Sequence, residues 1–225
     1  MYSVLEYLAD LTKNNNREWY HANKERYRQA TAEFEHFIGE LIIAISEFDS
    51  SIAHNAPKDL TFKLVRDTRF SNDKSPYNPT FRAHISSEGK LPVPVGYLIS
   101  IAPQNRSFLG GGLFASMFKD ATSMVRDNIA AHGKAFEDVI QDREFTEYFT
   151  VKGEALKNVP KGYDPSHLQA EYLKYKSWYL EYPVSDDLIV DSSGFVNQAA
   201  QIFRFMKPFN NYLNLALKDF KMPAR

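Results

Sequence analysis

The sequence predicts an α+β fold: a single domain with a mostly antiparallel central sheet flanked by a long N-terminal helix and C-terminal helices. Three observations carry that prediction. Apolar residues recur at helical spacing toward both ends of the chain, they alternate with polar residues through the middle, and the hinges between the alternating runs are short. At 225 residues the chain is long enough to bury about 70% of its unfolded surface in one core.

The elements follow in order. Ser3 precedes Val4, Leu5, Leu8 and Leu11, with Glu6 three positions on, which is the capping-box pattern of a short first helix. Asn15 and Glu18 repeat the signature, so a longer helix is expected to begin near Asn16. Phe34, Phe37, Ile38, Leu41, Ile42, Ile45 and Phe48 keep the rhythm of one buried face, and Trp19, Tyr20 and Tyr27 extend it upstream. The element is therefore read from about Asn16 to Phe48, with room for a bend.

The period then drops to two. Phe81, Ala83 and Ile85 alternate with Arg82, His84 and Ser86; Val95, Tyr97, Ile99 and Ile101 alternate with Gly96, Leu98, Ser100 and Ala102. Leu60 to Val65 and Arg106 to Leu109 read as two further strands. The hinges Ser86 to Lys90 and Pro103 to Asn105 favour antiparallel pairing.

After Gly110-Gly111-Gly112 a helical face resumes with Phe114, Met117, Phe118, Ala121, Met124, Val125 and Ile129, closing at Gly133. A second helix starts from Lys134. Lys152 to Pro165 reads as a loop strapped onto the same domain, because Val151, Leu156, Val159 and Tyr163 call for burial. His167 to Leu173 reads as a short helix and Lys174 to Tyr182 as a strand. Asp191 to Ser193 introduce a last long helix, which Pro208 should kink.

Composition narrows the function. The absence of cysteine excludes disulfide scaffolds, thiolate metal sites and cysteine nucleophiles. A formal net charge of -1 argues against a surface devoted to nucleic acid. Apolar runs such as Leu41 to Ile45 are too short to span a bilayer, and Met1 to Asp10 carries acids where a signal peptide needs a basic flank, so a cytoplasmic protein without a membrane is expected.

The near-neutral total conceals a polarity. Residues 1 to 57 hold 5 basic and 9 acidic side chains, whereas residues 58 to 82 hold 6 basic and 3 acidic ones. The basic stretch centres on Arg66-Asp67-Thr68-Arg69-Phe70-Ser71-Asn72-Asp73-Lys74-Ser75-Pro76-Tyr77, whose turn formers mark a loop. This string resembles the motif of the family catalogued as domain of unknown function 2461. Asn14 to Trp19, Phe108 to Leu113 with Arg126 to Ile129, and Tyr172 to Ser177 with Pro208 to Asn214 are similar to that family as well. The resemblance implies one domain over residues 1 to 225 and a family to which no activity is assigned. Ala115-Ser116 departs from it, standing where relatives often place a proline.

Guanidinium groups offer planar paired donors for phosphate or carboxylate, which makes Arg66 and Arg69 candidates for clamping an anion, with Lys74 as a point charge and Tyr77 beside them. The competing reading is an internal network in which Asp67 and Asp73 neutralise these cations. Gly110, Gly111 and Gly112, read as a strand-to-helix turn, would let backbone N–H groups approach the same anion; close packing or a β-bulge is the competing explanation. The leading expectation is therefore a small anionic ligand where loop and glycine turn meet. The alternatives are an enzyme using Asp67 or Asp73 with the neighbouring cations, metal-assisted in one version, and a nucleic-acid or protein interaction module. The six histidines lack His-Glu-x-x-His spacing; a pair such as His84 with Asp67 or Asp73 could bind a metal or act as acid and base, but nothing local forces it, and no serine sits in a Gly-x-Ser-x-Gly elbow, so neither a metal site nor a hydrolase triad is expected. The sequence names no cofactor and no oligomeric state.

Overall fold

In the computed structural model, which describes residues 1–114 and 116–223, β1 (Phe81–Ile85), β2 (Tyr97–Ile101), β3 (Ser107–Leu113) and β4 (Trp178–Val184) form one antiparallel sheet in the order β1-β2-β3-β4. Helices precede, follow and interrupt it: α1 (Tyr2–Lys13), α2 (Arg17–Ala22), α3 (Lys24–Ser46) and α4 (Pro57–Leu60) come before β1. Between β3 and β4 lie α5 (Lys119–Ala131), α6 (Gly133–Ile140), α7 (Arg143–Tyr148) and α8 (Ala170–Leu173), and after β4 come α9 (Asp186–Val190) and α10 (Ser192–Ala216). The α+β expectation, with an antiparallel sheet between terminal helices, is what the chain adopts. Among the described residues, no helix is long and apolar enough to cross a membrane.

Alternation decides which sheet face is covered. Phe81, Ala83, Ile85, Tyr97, Ile99, Ile101, Leu109 and Leu180 are buried on the face beneath α3 and α10. Phe34 of α3 meets Phe81 at 5.3 Å between ring centroids, Phe203 of α10 meets Tyr97 at 5.1 Å, and Phe37 stacks on Phe195 at 4.9 Å. Full burial of one such side chain contributes about 1.5–3 kcal/mol, so this layer dominates the core.

Both outer strands are protected. Residues 152–155 run along β4, with Lys152 N donating to Tyr179 O at 2.8 Å and Tyr179 N returning a bond at 2.9 Å. On the other side Phe62 N donates to Arg82 O at 2.9 Å. Unpaired strand edges invite association with other chains, and these segments close them. The start of the Lys152 to Pro165 stretch is thus a strap, and Val151 is buried as expected, whereas Leu156 is exposed rather than buried.

Several expectations need correction. Leu60 to Val65 is not a strand: Pro57 opens a helical turn ending at Leu60, and the buried positions are Leu60 and Leu64, four apart rather than two. The segment contributes only isolated bridges, Thr61 to Ala83 and Val65 to Tyr77. Ser3 does not cap α1; its hydroxyl donates to Glu33 of α3 instead. The Asn16 to Phe48 helix is divided at Asn23, whose side chain donates to Trp19 O at 2.9 Å and ends α2. Asn16 caps α2 by accepting from Trp19 N at 2.8 Å. The helix expected after the glycines starts at Lys119, and the Ala115 part of the departure noted above lies outside the described residues. The strand expected over Lys174 to Tyr182 is displaced to Trp178–Val184.

Candidate functional site

The basic loop spends its charges on itself. Arg66 pairs with Asp73 and donates to Ser71 Oγ at 3.2 Å; Arg69 forks onto Asp67 through Nε at 2.9 Å and Nη2 at 2.6 Å; Lys74 Nζ donates to Thr68 O at 3.0 Å. Hydrogen bonds from Ser75 and from Arg66 hold the Asp73 carboxyl well below the usual carboxylate range, and Arg69 lowers that of Asp67. At the loop's base, Asn15 donates to Tyr77 O at 2.9 Å and accepts from Tyr77 N at 3.1 Å, while the Tyr77 ring stacks on Tyr20 at 4.3 Å.

The three glycines are not a turn before a helix. They lie inside β3, where Gly110 pairs with Leu98 and Glu181, Gly111 with Tyr97 and Leu180, and Gly112 with Tyr179. Each missing side chain makes room for a neighbour. A Cβ at Gly110 would sit 2.9 Å from the Phe114 ring, at Gly111 3.0 Å from Met206 Sδ of α10, and at Gly112 2.4 Å from Trp178 O. The Gly112 N–H is taken by Asn210 Oδ1 at 2.8 Å, and its φ of +90° belongs to glycine. Close packing, the competing explanation in the sequence, accounts for these residues. The expected backbone donors point at protein atoms.

The face of the sheet away from α3 and α10 is different. It forms a cleft of about 870 Å³, into which Arg82 and His84 of β1, Leu98 and Ser100 of β2, Phe108 and Gly112 of β3, and Tyr179 and Glu181 of β4 project or open. Register explains the grouping. Arg82, Ser100 and Phe108 form one cross-strand row, and His84, Leu98, Gly110 and Glu181 form the next. Phe62, Asn78 and Thr80, which flank the basic loop, line the same cleft as Gly112, but Arg66, Arg69, Lys74 and Tyr77 are not among the lining side chains.

Among the described residues, one nitrogen each of Arg82 and His84 in the cleft has no hydrogen-bond partner. The Arg82 guanidinium lies over the Phe62 ring at 5.4 Å, its Nε is buried without a hydrogen bond, and burial alone lowers its pKa, with no carboxylate opposing that shift. His84 is only 8% exposed and its Nδ1 is buried without a partner. Burial pushes its imidazole down to about 4, the Leu91 backbone offsetting part of that effect. Toward β4 the charges are satisfied: Glu181 pairs with Lys152 at 2.9 Å, and Glu154 with Lys176. No group of three or more His, Asp or Glu side chains gathers in a metal-holding arrangement among the described residues.

A family model described as conserved hypothetical protein (DUF2461) matches residues 3–212. The chain belongs to that family. No curated protein and no solved structure matches it. The stretches that resemble DUF2461 turn out to interlock behind the cleft. Asn15 clasps Tyr77; Arg126 donates to Leu173 O at 2.9 Å and Tyr175 O at 2.7 Å; Asn210 bridges Gly112 N and Gly96 O; Asn214 both donates to and accepts from Val95. The side chains most distinctive in sequence therefore fasten loops and strands together. In the sequence Arg82 counts toward the basic stretch and His84 as a possible partner of Asp67 or Asp73, while their shared place on one sheet face is signalled only by the alternation of β1 with Phe81, Ala83 and Ile85.

Proposed function

We propose that the protein binds a small ligand bearing a phosphate or carboxylate in the cleft on the open face of the sheet, with Arg82 as its counter-charge. One observation carries this reading: a half-buried guanidinium with no acidic partner among the described residues faces a concave, partly apolar space. Such a cation costs desolvation free energy that the Phe62 ring offsets only in part, and an incoming anion would offset more of it. Lys90, whose Nζ donates to Thr61 O at 3.2 Å, adds a second positive head at the same rim. Arg66, Arg69 and Lys74 serve here as the internal ties of the loop that carries Asn78 and Thr80.

The test is Arg82→Met followed by a thermal-shift and calorimetric screen of carboxylates and phosphates. Hydrogen bonds to a charged group contribute about 1.5–3 kcal/mol, so affinity should fall roughly ten- to a hundredfold. The unliganded variant should melt no lower than the parent, since its change removes an unpaired buried cation. A variant that keeps its affinity, or a parent that no anion stabilises, refutes the proposal.

A second reading has its own observation. Phe70, at the tip of the basic loop, is 96% exposed, with the Arg69 guanidinium 5.8 Å from its ring centre. Exposed rings beside arginine suit base stacking on single-stranded nucleic acid. Oligonucleotide binding that weakens steeply with salt and disappears in Phe70→Ala would favour this module over the cleft.

A further inference from the structure

Resting on the anion-binding reading above, we infer that the ligand of the cleft is a nucleoside monophosphate, its phosphate at Arg82 and its base laid on the Phe108 ring. The register of the sheet carries the inference. Arg82, Ser100 and Phe108 are direct cross-strand neighbours on the open face, one each from β1, β2 and β3, so a cation, a small hydroxyl residue and a ring stand in line. Neighbouring strands lie about 4.7–4.9 Å apart, which separates ring and cation by roughly 10 Å at the backbone.

The charge at one end calls for a dianion. Lys90 donates from Nζ to Thr61 O at 3.2 Å, and Thr61 bridges to Ala83, the residue after Arg82. Two positive heads therefore belong to the β1 side of the cleft. The carboxylates that line it among the described residues, Glu154 and Glu181, stand on the β4 side and are paired with Lys176 and Lys152. A carboxylate ligand would bring a single negative charge to the two cations, whereas a phosphate monoester brings nearly two near pH 7, with three strong acceptor oxygens for a guanidinium.

The rest of the floor calls for a spacer and a flat body. The uncovered face of an antiparallel sheet normally carries polar residues toward water. Here Leu98, Phe108 and Tyr179 occupy it, all half-buried, and Phe114 lies over Gly110 and stacks on Tyr179 at 4.5 Å. A half-buried ring such as Phe108 is a platform on which a base can stack. Ser100, only 4% exposed, sits low between that ring and the cation and leaves the floor free there for a sugar. The volume of about 870 Å³ falls in the range of sites that enclose an organic body rather than a bare ion.

Four probes separate these parts: adenosine monophosphate has phosphate, spacer and base, ribose phosphate lacks the base, phenyl phosphate lacks the spacer, and benzoate replaces the phosphate by a carboxylate. Titrated by calorimetry into the full chain near pH 7, adenosine monophosphate should bind at least tenfold more tightly than each of the others. In Phe108→Leu its advantage over ribose phosphate should vanish while ribose phosphate binds as before, which reports an intact cleft; Arg82→Met should weaken every phosphate at least tenfold. Ribose phosphate or phenyl phosphate binding as tightly as adenosine monophosphate overturns the nucleotide class, and benzoate doing so overturns the dianion; in each case the anion reading stands. An advantage that survives Phe108→Leu overturns the placement of the base. Failure of all four probes to bind overturns this inference, and the wider screen of carboxylates and phosphates judges the anion reading separately.

Discussion

Gly112→Ala should lower the stability of the fold by about 3 kcal/mol or more, a loss of roughly 6–12 °C in melting temperature for a chain of this length. Two independent costs add. The backbone of Gly112 sits at φ +90°, and an L-residue in left-handed territory costs about 1–2 kcal/mol. The added methyl would also lie 2.4 Å from Trp178 O, an atom of the adjacent strand backbone that the β3–β4 ladder holds in place. Relief requires breaking that ladder or losing the Asn210 hydrogen bond to Gly112 N. Gly110→Ala and Gly111→Ala should cost less, because neither backbone is at positive φ and their nearest contacts, Phe114 and Met206 Sδ, are side-chain atoms at 2.9 and 3.0 Å, with Leu180 O and Asn210 Oδ1 further off at 3.2 and 3.1 Å. Urea denaturation of the three variants checks the order. Equal losses would show that the glycines act through something other than their separate neighbours, and a stable Gly112→Ala would contradict the packing account.

The glycines also show why sequence reading located the fold better than the site. Helical faces are local: Phe34 to Ile45 repeat on α3 whatever surrounds them, and Asp191 caps α10 through Gly194 N as its position suggests. Strand alternation was equally local for β1 and β2. The triple glycine was ambiguous because a residue without a side chain reports what approaches it, and the approaching atoms come from Phe114, Met206 and Trp178, up to 95 positions away. The same holds for Ser3, diverted from capping by Glu33, and for Lys174 to Ser177, kept out of β4 by Arg126 and by Lys176 N donating to Glu154 O. Arg66 and Arg69 stood out because they cluster in sequence with their own acids, the circumstance that also neutralises them. Arg82 attracted less notice as one cation among six. Its isolation depends on sheet register, which places Ser100 and Phe108 beside it and Glu181 one row away, and register is a property of four strands rather than of one.

Acid should destabilise the protein through His84, in a window above that of the shifted carboxylates. Burial holds its imidazole at about 4 in the fold against 6.5 in the unfolded chain, so the unfolded state binds more protons between these values. Stability contributed by the neutral ring is complete above pH 6.5, declines as pH falls, and is lost below about 4. At 1.36 kcal/mol per unit, the full loss is about 3 kcal/mol. Asp49, Asp67 and Asp73, whose pKa values are lowered from 3.8, withdraw their contributions only below that value. Between pH 6.5 and 4.5 the titration of His84 is therefore separable from theirs. The positive heads of Arg82 and Lys90 at the same cleft oppose the imidazolium, while Glu181 in its cross-strand row is engaged by Lys152 and gives little relief. Chemical denaturation across this range should show stability falling by about 2–3 kcal/mol in the parent and by distinctly less in His84→Gln, which stays uncharged. Parallel curves for the two proteins would mean that the ring is solvated or paired in the fold, against the buried, unpartnered Nδ1.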